Sequence, residues 1–344
     1  MRIWCLALLA LLQAVPASFP QAEIANGRIR AQLYLPDAQA GYYRGTRFDW
    51  SGVVSSLKWN GHEYFGQWFE RHDPRIHDAI TGPVEEFLTG DSSLAYAEVK
   101  PGESFVRIGV GAVRKPEEAA YRRFGTYDIV DPGTWTVKKG SDSIEFVHRL
   151  GDTAGYAYVY RKTLRLADDS LILEHSLENT GRKTITTSVY NHNFFTLDDL
   201  RTGPDAVVRL PFDARAARPL AGLAEIRGRE ITFLRPFEQK ETVFTELEGF
   251  GGTPSDYDFR LENRKTGAGV RITGDRPLAK LLFWSAWKTV CPEPYIDLRV
   301  EPGGQGSWRI AYQFYQAAAS AASPGAPLGP STQRSTPTST EARR

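Results

Sequence analysis

The feature that most limits what this chain can fold into is a two-residue rhythm of apolar and polar side chains that keeps restarting. It runs through Arg28-Ile29-Arg30-Ala31-Gln32-Leu33-Tyr34-Leu35 and through Ser143-Ile144-Glu145-Phe146-Val147-His148-Arg149-Leu150. It returns between Tyr156 and Leu164 and again between Leu171 and Glu178. Successive side chains of a strand point to opposite faces, so this period, rich in Tyr, Val, Ile and Thr, marks half-buried strands. Turn chemistry separates the windows, as in Asn60-Gly61, Asp131-Pro132-Gly133, Lys139-Gly140-Ser141, Asn179-Thr180-Gly181, Thr266-Gly267 and Pro302-Gly303-Gly304. Only Lys115 to Arg123, opening Lys-Pro-Glu-Glu, has the start signals of a short helix. Residues 20 to 316 show one composition regime and no internal repeat. The expectation is one large all-β domain, residues 18–316, built as an antiparallel two-sheet sandwich.

The two ends follow different rules. Arg2, the apolar run from Trp4 to Leu12 and the small residues of Val15-Pro16-Ala17 have the plan of a secretory signal peptide over residues 1–17. The run is too short to span a bilayer. This predicts an exported protein, secreted or periplasmic, with no membrane attachment after cleavage. Cleavage would remove Cys5 and leave Cys291 as the single cysteine, so the fold must hold without an internal disulfide. Residues 317–344 are Ala, Ser, Pro, Thr and Gly with little bulk, the composition of a disordered tail.

Whole classes of function lack support. With 42 Lys+Arg against 41 Asp+Glu the formal charge is +1, which leaves no electrostatic footprint for nucleic acid. There is no dinucleotide fingerprint, no phosphate-cradling loop, no Gly-x-Ser-x-Gly elbow and no zinc-like Cys/His spacing. No metal or cofactor is expected. Cys291 sits beside Glu293, whose charge would raise a thiol pKa and argues against a nucleophile.

Of the six histidines, His62, His148 and His175 fall in a turn or in strands and are expected to be structural. His192 lies in Ser188-Val189-Tyr190-Asn191-His192-Asn193-Phe194-Phe195-Thr196-Leu197. There Asn191 and Asn193 are expected to fix the imidazole tautomer, and Phe194 and Phe195 to give a flat apolar wall that suits a sugar. A separate segment holds His72, Asp73, His77, Asp78, Glu85 and Glu86, which reads equally as a solvated loop or a ligand-facing one.

The pairing of His175-Ser176-Leu177-Glu178-Asn179-Thr180-Gly181 with Asn191-His192-Asn193-Phe194-Phe195-Thr196-Leu197 resembles the aldose 1-epimerase (galactose mutarotase) superfamily. The likeness extends over about residues 24 to 316 and ends in Val300-Glu301-Pro302-Gly303, Trp308 and Tyr312-Gln313-Phe314. It implies a galactose mutarotase-like β-supersandwich that binds a sugar on the concave face of a large antiparallel sheet. It also implies a catalytic pair, with His192 as general acid and Glu293, in Val290-Cys291-Pro292-Glu293-Pro294-Tyr295, as general base. Flanking prolines would stiffen the backbone around that carboxylate.

For the substrate, the resemblance points to Asp256 or Asp258, with Asn191, His77, Glu85, Trp68 and Trp284 as further candidate contacts. The superfamily's second His window and its substrate-binding Arg have no clear counterpart, and acidic Glu85-Glu86 stands in the Arg region. Two other functions stay open on the same fold. One is a non-catalytic carbohydrate-binding domain. The other is a polysaccharide lyase or a glycosidase, which would need two carboxylates across the cleft, Glu85 or Glu86 with Glu293.

Overall fold

The computed structural model describes residues 19–318. The expected signal peptide and residues 319–344 of the expected tail lie outside the described residues. Ala317, placed in that tail, is buried and donates its N–H to Gly267 O, so the last strand's order runs one residue into it.

Among the described residues there are 23 strands, two short 3-10 turns and no α-helix. Every one of the alternating windows is a strand. The predicted helix at Lys115–Arg123 is instead irregular backbone. So short a segment cannot meet the cost of helix nucleation. It is held by tertiary hydrogen bonds, with Glu118 accepting from Tyr96 OH and Tyr127 OH. The Asn60-Gly61 pair does what its chemistry predicts: both residues have positive φ (47° and 82°) and close a two-residue hairpin.

Two large antiparallel sheets face one another. The larger has ten strands, with Gln305–Gln316, Ser170–Asn179, Tyr156–Ala167 and Ser143–Thr153 running side by side in its centre and toward one edge. The smaller has six, ordered Arg215–Ala216, Thr242–Glu248, Lys280–Ala286, Thr289–Val300, Ile185–Phe194 and Gly82–Leu88. Two further sheets, of four and three strands, accompany them. The inner faces meet through Phe87 packed edge-on against Tyr160 and Trp308. Buried apolar side chains from Ile24 to Phe314 form one continuous core. The outer face of the six-stranded sheet is the surface that carries the candidate site.

Candidate functional site

Strand Ile185–Phe194 sorts its side chains by the period of two. Tyr190, His192 and Phe194 face the outer side. Asn191 and Asn193 face the other sheet: Asn191 Nδ2 donates to Glu85 Oε1 at 2.9 Å, and Asn193 accepts from Tyr312 OH at 2.7 Å. The two amides therefore do not orient His192, and its Nδ1 is buried without a partner. Aromatic packing orients it instead. His192 stacks on Phe194 at 3.9 Å and 8°, Phe194 stacks on Trp68 at 5.1 Å and 9°, and Trp284 meets His192 edge-on at 5.3 Å. Phe195, expected on the sugar side, stacks on Phe65 in the core.

Glu293 belongs to the same six-stranded sheet as His192. It lies inside strand Thr289–Val300, 3% exposed, between Pro292 and Pro294. Two prolines inside a central strand need an explanation, because proline cannot donate to a ladder. Pairing with strand Ile185–Phe194 runs from Ile185↔Val300 to Tyr190↔Tyr295, lapses around the two prolines, and resumes in the same register at Phe195↔Val290, where Val290 N donates to Phe195 O at 3.1 Å. Within the gap Asn193 Nδ2 donates to Pro292 O at 2.8 Å. The carbonyl of Pro292 faces that gap, so the missing proline donors do too. On its other side Glu293 keeps register with Leu282 of strand Lys280–Ala286. The opened ladder brings His192 Nε2 within 3.3 Å of Glu293 Oε1, side by side on the floor of the site.

Above the pair lies a cavity of about 320 Å³, within the size range of small-molecule sites. Trp68, Phe194, Leu282, Trp284 and Phe244 give it an apolar wall, and Arg47, Arg123, Phe124, His77 and Asp78 the opposite one. Burial pushes the Glu293 carboxyl up to about 7, against the pull of Arg47 and Arg123. Burial also drives His192 well below the ordinary imidazole value, with Arg47 acting in the same direction. The pair thus passes through the midpoint of holding one proton near pH 7, and that proton rests on Glu293 rather than on the imidazole.

Glu86 braces this floor. Burial alone would raise its pKa, but Arg47 and Arg123 overcome that and keep it ionised. Arg47 Nε donates to it at 2.9 Å, Arg123 at 3.0 and 2.8 Å, and Tyr190 OH also donates. Tyr190 lies two residues before His192, Tyr295 two after Glu293, and their rings stack at 4.2 Å.

The structure gathers His192, Glu293, His77, Trp68 and Trp284 around one cavity. It places the other expected sugar contacts elsewhere. Asn191 and Glu85 point into the space between the sheets, where Glu85 pairs with Lys162 and His175. Asp258 lies on a strand of the ten-stranded sheet and is held bidentate by Arg271, and Asp256 caps a short turn beside Thr253. His72 stacks on Tyr42, away from its sequence neighbour His77. A glycosidase pair of Glu85 or Glu86 with Glu293 is disfavoured, because both glutamates are committed to buried cations. His148 and His175 stack on Trp135 and Trp308, and His62 pairs with Asp198, all outside the cavity. Burial raises the Cys291 thiol well above its usual value. No cluster of three or more His, Cys, Asp or Glu suited to a metal ion occurs among the described residues.

Sequence reasoning missed Arg47, Arg123, Phe124 and Phe244. The arginines come from irregular segments with no periodic signal. Tyr190 and Tyr295 were within reach, since the period of two puts them on the face of His192 and Glu293.

No family model and no curated protein matches the sequence. Solved structures do match in three dimensions. An aldose epimerase homologue from C. elegans superposes with a TM-score of 0.55 at 16% identity, over 87% of this chain and 100% of that one. A galactose mutarotase related enzyme from Lactobacillus acidophilus gives 0.54 at 15%, over 87% and 98%. A protein from Synechocystis gives 0.57 at 15%, over 90% and 100%. At such identities the likeness speaks for architecture alone, and with the strand order above it is sufficient for one conclusion: this chain has the galactose mutarotase-like fold.

Proposed function

We propose that the protein is an exported aldose 1-epimerase-like enzyme that interconverts the anomers of a sugar through His192 and Glu293. The observation that carries this is their 3.3 Å side-by-side contact on the floor of an aromatic-walled cavity. Ring opening breaks the bond between the anomeric carbon and the ring oxygen. The anomeric hydroxyl loses its proton and becomes a carbonyl, while the ring oxygen gains one. Both oxygens sit on the same carbon, so an acid and a base placed side by side match them.

Following the superfamily roles, His192 gives the proton and Glu293 takes one. The proton carried at rest by Glu293 passes to Nε2 as the sugar settles. Rotation of the carbonyl and the reverse transfers then close the other anomer, with the proton count of the pair unchanged. Arg47 and Arg123 offer donors to sugar hydroxyls, and Trp68, Phe194 and Trp284 offer flat apolar surface to the ring faces.

Polarimetry on freshly dissolved α-glucose, α-galactose and α-xylose tests this. The expected result is faster approach to the equilibrium rotation for at least one sugar. Tight sugar binding with no acceleration on any of them would favour a binding domain. Export is part of the same proposal. N-terminal sequencing of the secreted or periplasmic protein should find a start near Ser18.

A further inference from the structure

The cavity does not end at the apolar wall. Six large apolar side chains are exposed among the described residues, and two of them, Phe124 (55%) and Phe244 (40%), line this one mouth. A third, Ile76, directly precedes the cavity residue His77. Scattered single apolar residues need no explanation, but two exposed phenylalanine rings at one opening do.

Phe244 is part of a continuous strip. It is the cross-strand partner of Trp284, which is in turn the partner of Cys291 on the strand that carries Glu293. Trp284 is half-buried and closes the site, while Phe244 stands one strand farther out. Arg218 lies over one face of the Phe244 ring at 4.8 Å, and the side chain remains 40% exposed. Neighbouring strands are about 4.8 Å apart, so the Phe244 strand lies about 10 Å from the catalytic strand, and its ring lines the outer end of the cavity whose floor is His192 and Glu293. The opposite side of the mouth is different. There Phe124 rests on Arg47 and Arg123 and leans on His77, so it walls the catalytic ring itself.

We propose that Trp284 and Phe244 form a second sugar-ring site, and that the preferred substrate is the reducing end of a di- or oligosaccharide rather than a free monosaccharide. This rests on the reading of the cavity as a sugar site. The reducing-end ring occupies His192 and Glu293 with its anomeric hydroxyl free. The next ring lies on the exposed face of Phe244, where aromatic surface meets the apolar face of a pyranose.

The test compares glucose and galactose with maltose, cellobiose and lactose, reading both binding by tryptophan fluorescence and anomerisation by polarimetry. The account expects at least one disaccharide to bind about tenfold more tightly than its reducing-end monosaccharide. Phe244→Ala should reduce that preference about tenfold in both readouts, while Val137→Ala, exposed on a distant strand, leaves it in place. Equal affinity for one ring and two, or a preference that survives Phe244→Ala, overturns the second site even if anomerisation is fast. A Phe244-dependent preference in binding with no anomerisation by any sugar upholds the second site and sinks the catalytic proposal instead.

Discussion

Glu85 and Glu86 are neighbours on strand Gly82–Leu88, both fully buried, and they face opposite sides of the sheet. Glu85 enters a sealed space between the two large sheets. There Lys162 and His175 meet it, Lys162 Nζ also donates to Ser51 O at 3.0 Å, and Asn191 adds a bond. Glu86 enters the floor of the cavity and is held by Arg47 and Arg123. Glu293, on the same face, pairs with His192 and with no lysine or arginine among the described residues. Three buried carboxyls thus have two fates. Glu85 and Glu86 are charged because cations surround them, with Glu85 held at about 2, while Glu293 is raised to about 7 because its compensation is incomplete. Asp49, buried beside Lys162 at 3.8 Å, is also raised to about 7 by burial, yet it lies away from the cavity, so what singles out Glu293 is a raised carboxyl that also lines the cavity beside an imidazole.

Substitutions separate the two kinds of carboxyl. The largest effect is expected on catalysis: Glu293→Gln and His192→Ala should each lower kcat/KM for anomerisation by about 10²–10⁴-fold, the usual worth of a positioned acid or base. Lys162→Ala should act on stability instead, costing about 3–5 kcal/mol in urea unfolding because it strands Glu85 in a dry interior. A variant at Lys162 that stays as stable as wild type would mean the sealed network is dispensable.

The pH dependence sharpens the contrast. The proposed chemistry needs one proton on the His192–Glu293 pair, and that proton leaves above about pH 7. Activity should therefore fall toward tenfold per unit above pH 7 and stay level for a unit or two below it.

Stability moves with opposite signs at the two places. Glu85 and Glu86 have lowered pKa values in the fold, so their contribution is present above the ordinary carboxyl range and lost as pH falls through it. Glu293 has a raised value, so its ionisation cost grows as pH rises from about 4.5 to about 7. Glu293→Gln should then be more stable than wild type by at most about 3 kcal/mol at pH 8, with the gap shrinking to about 1 kcal/mol or less at pH 5. Urea curves at the two pH values check this smallest effect.

The strands were legible because alternation is a local signal, and it named the right windows without any tertiary knowledge. The same alternation was underused at the site. It forbids Asn191 and Asn193 from sharing a face with His192, and it recommends Tyr190 and Tyr295. The Pro-Glu-Pro of residues 292–294 read only as stiff backbone around a carboxylate, since prolines are uncommon inside central strands. It is instead a place where a central ladder opens, which only the position of the neighbouring strand reveals. Arg47 and Arg123 were illegible for a different reason. They reach Glu86 from segments 39 and 37 residues away, and no pattern in either segment marks the meeting. Asp256 and Asp258 were placed by resemblance alone, and the chain folds Asp258 into the other sheet and Asp256 into the short turn that precedes it.

The claim under all of this is that Glu293 is a poised carboxyl and its buried neighbours are not. Carbon-13 NMR titration of side-chain-labelled glutamate, in wild type and in Glu293→Gln, measures that directly. The account predicts one carboxyl resonance with a midpoint near pH 7 that is missing from the variant, while the resonances of Glu85 and Glu86 stay in the ionised position down to at least pH 4.5. Titration of Glu293 in the ordinary carboxyl range, with no resonance moving near pH 7, would contradict it.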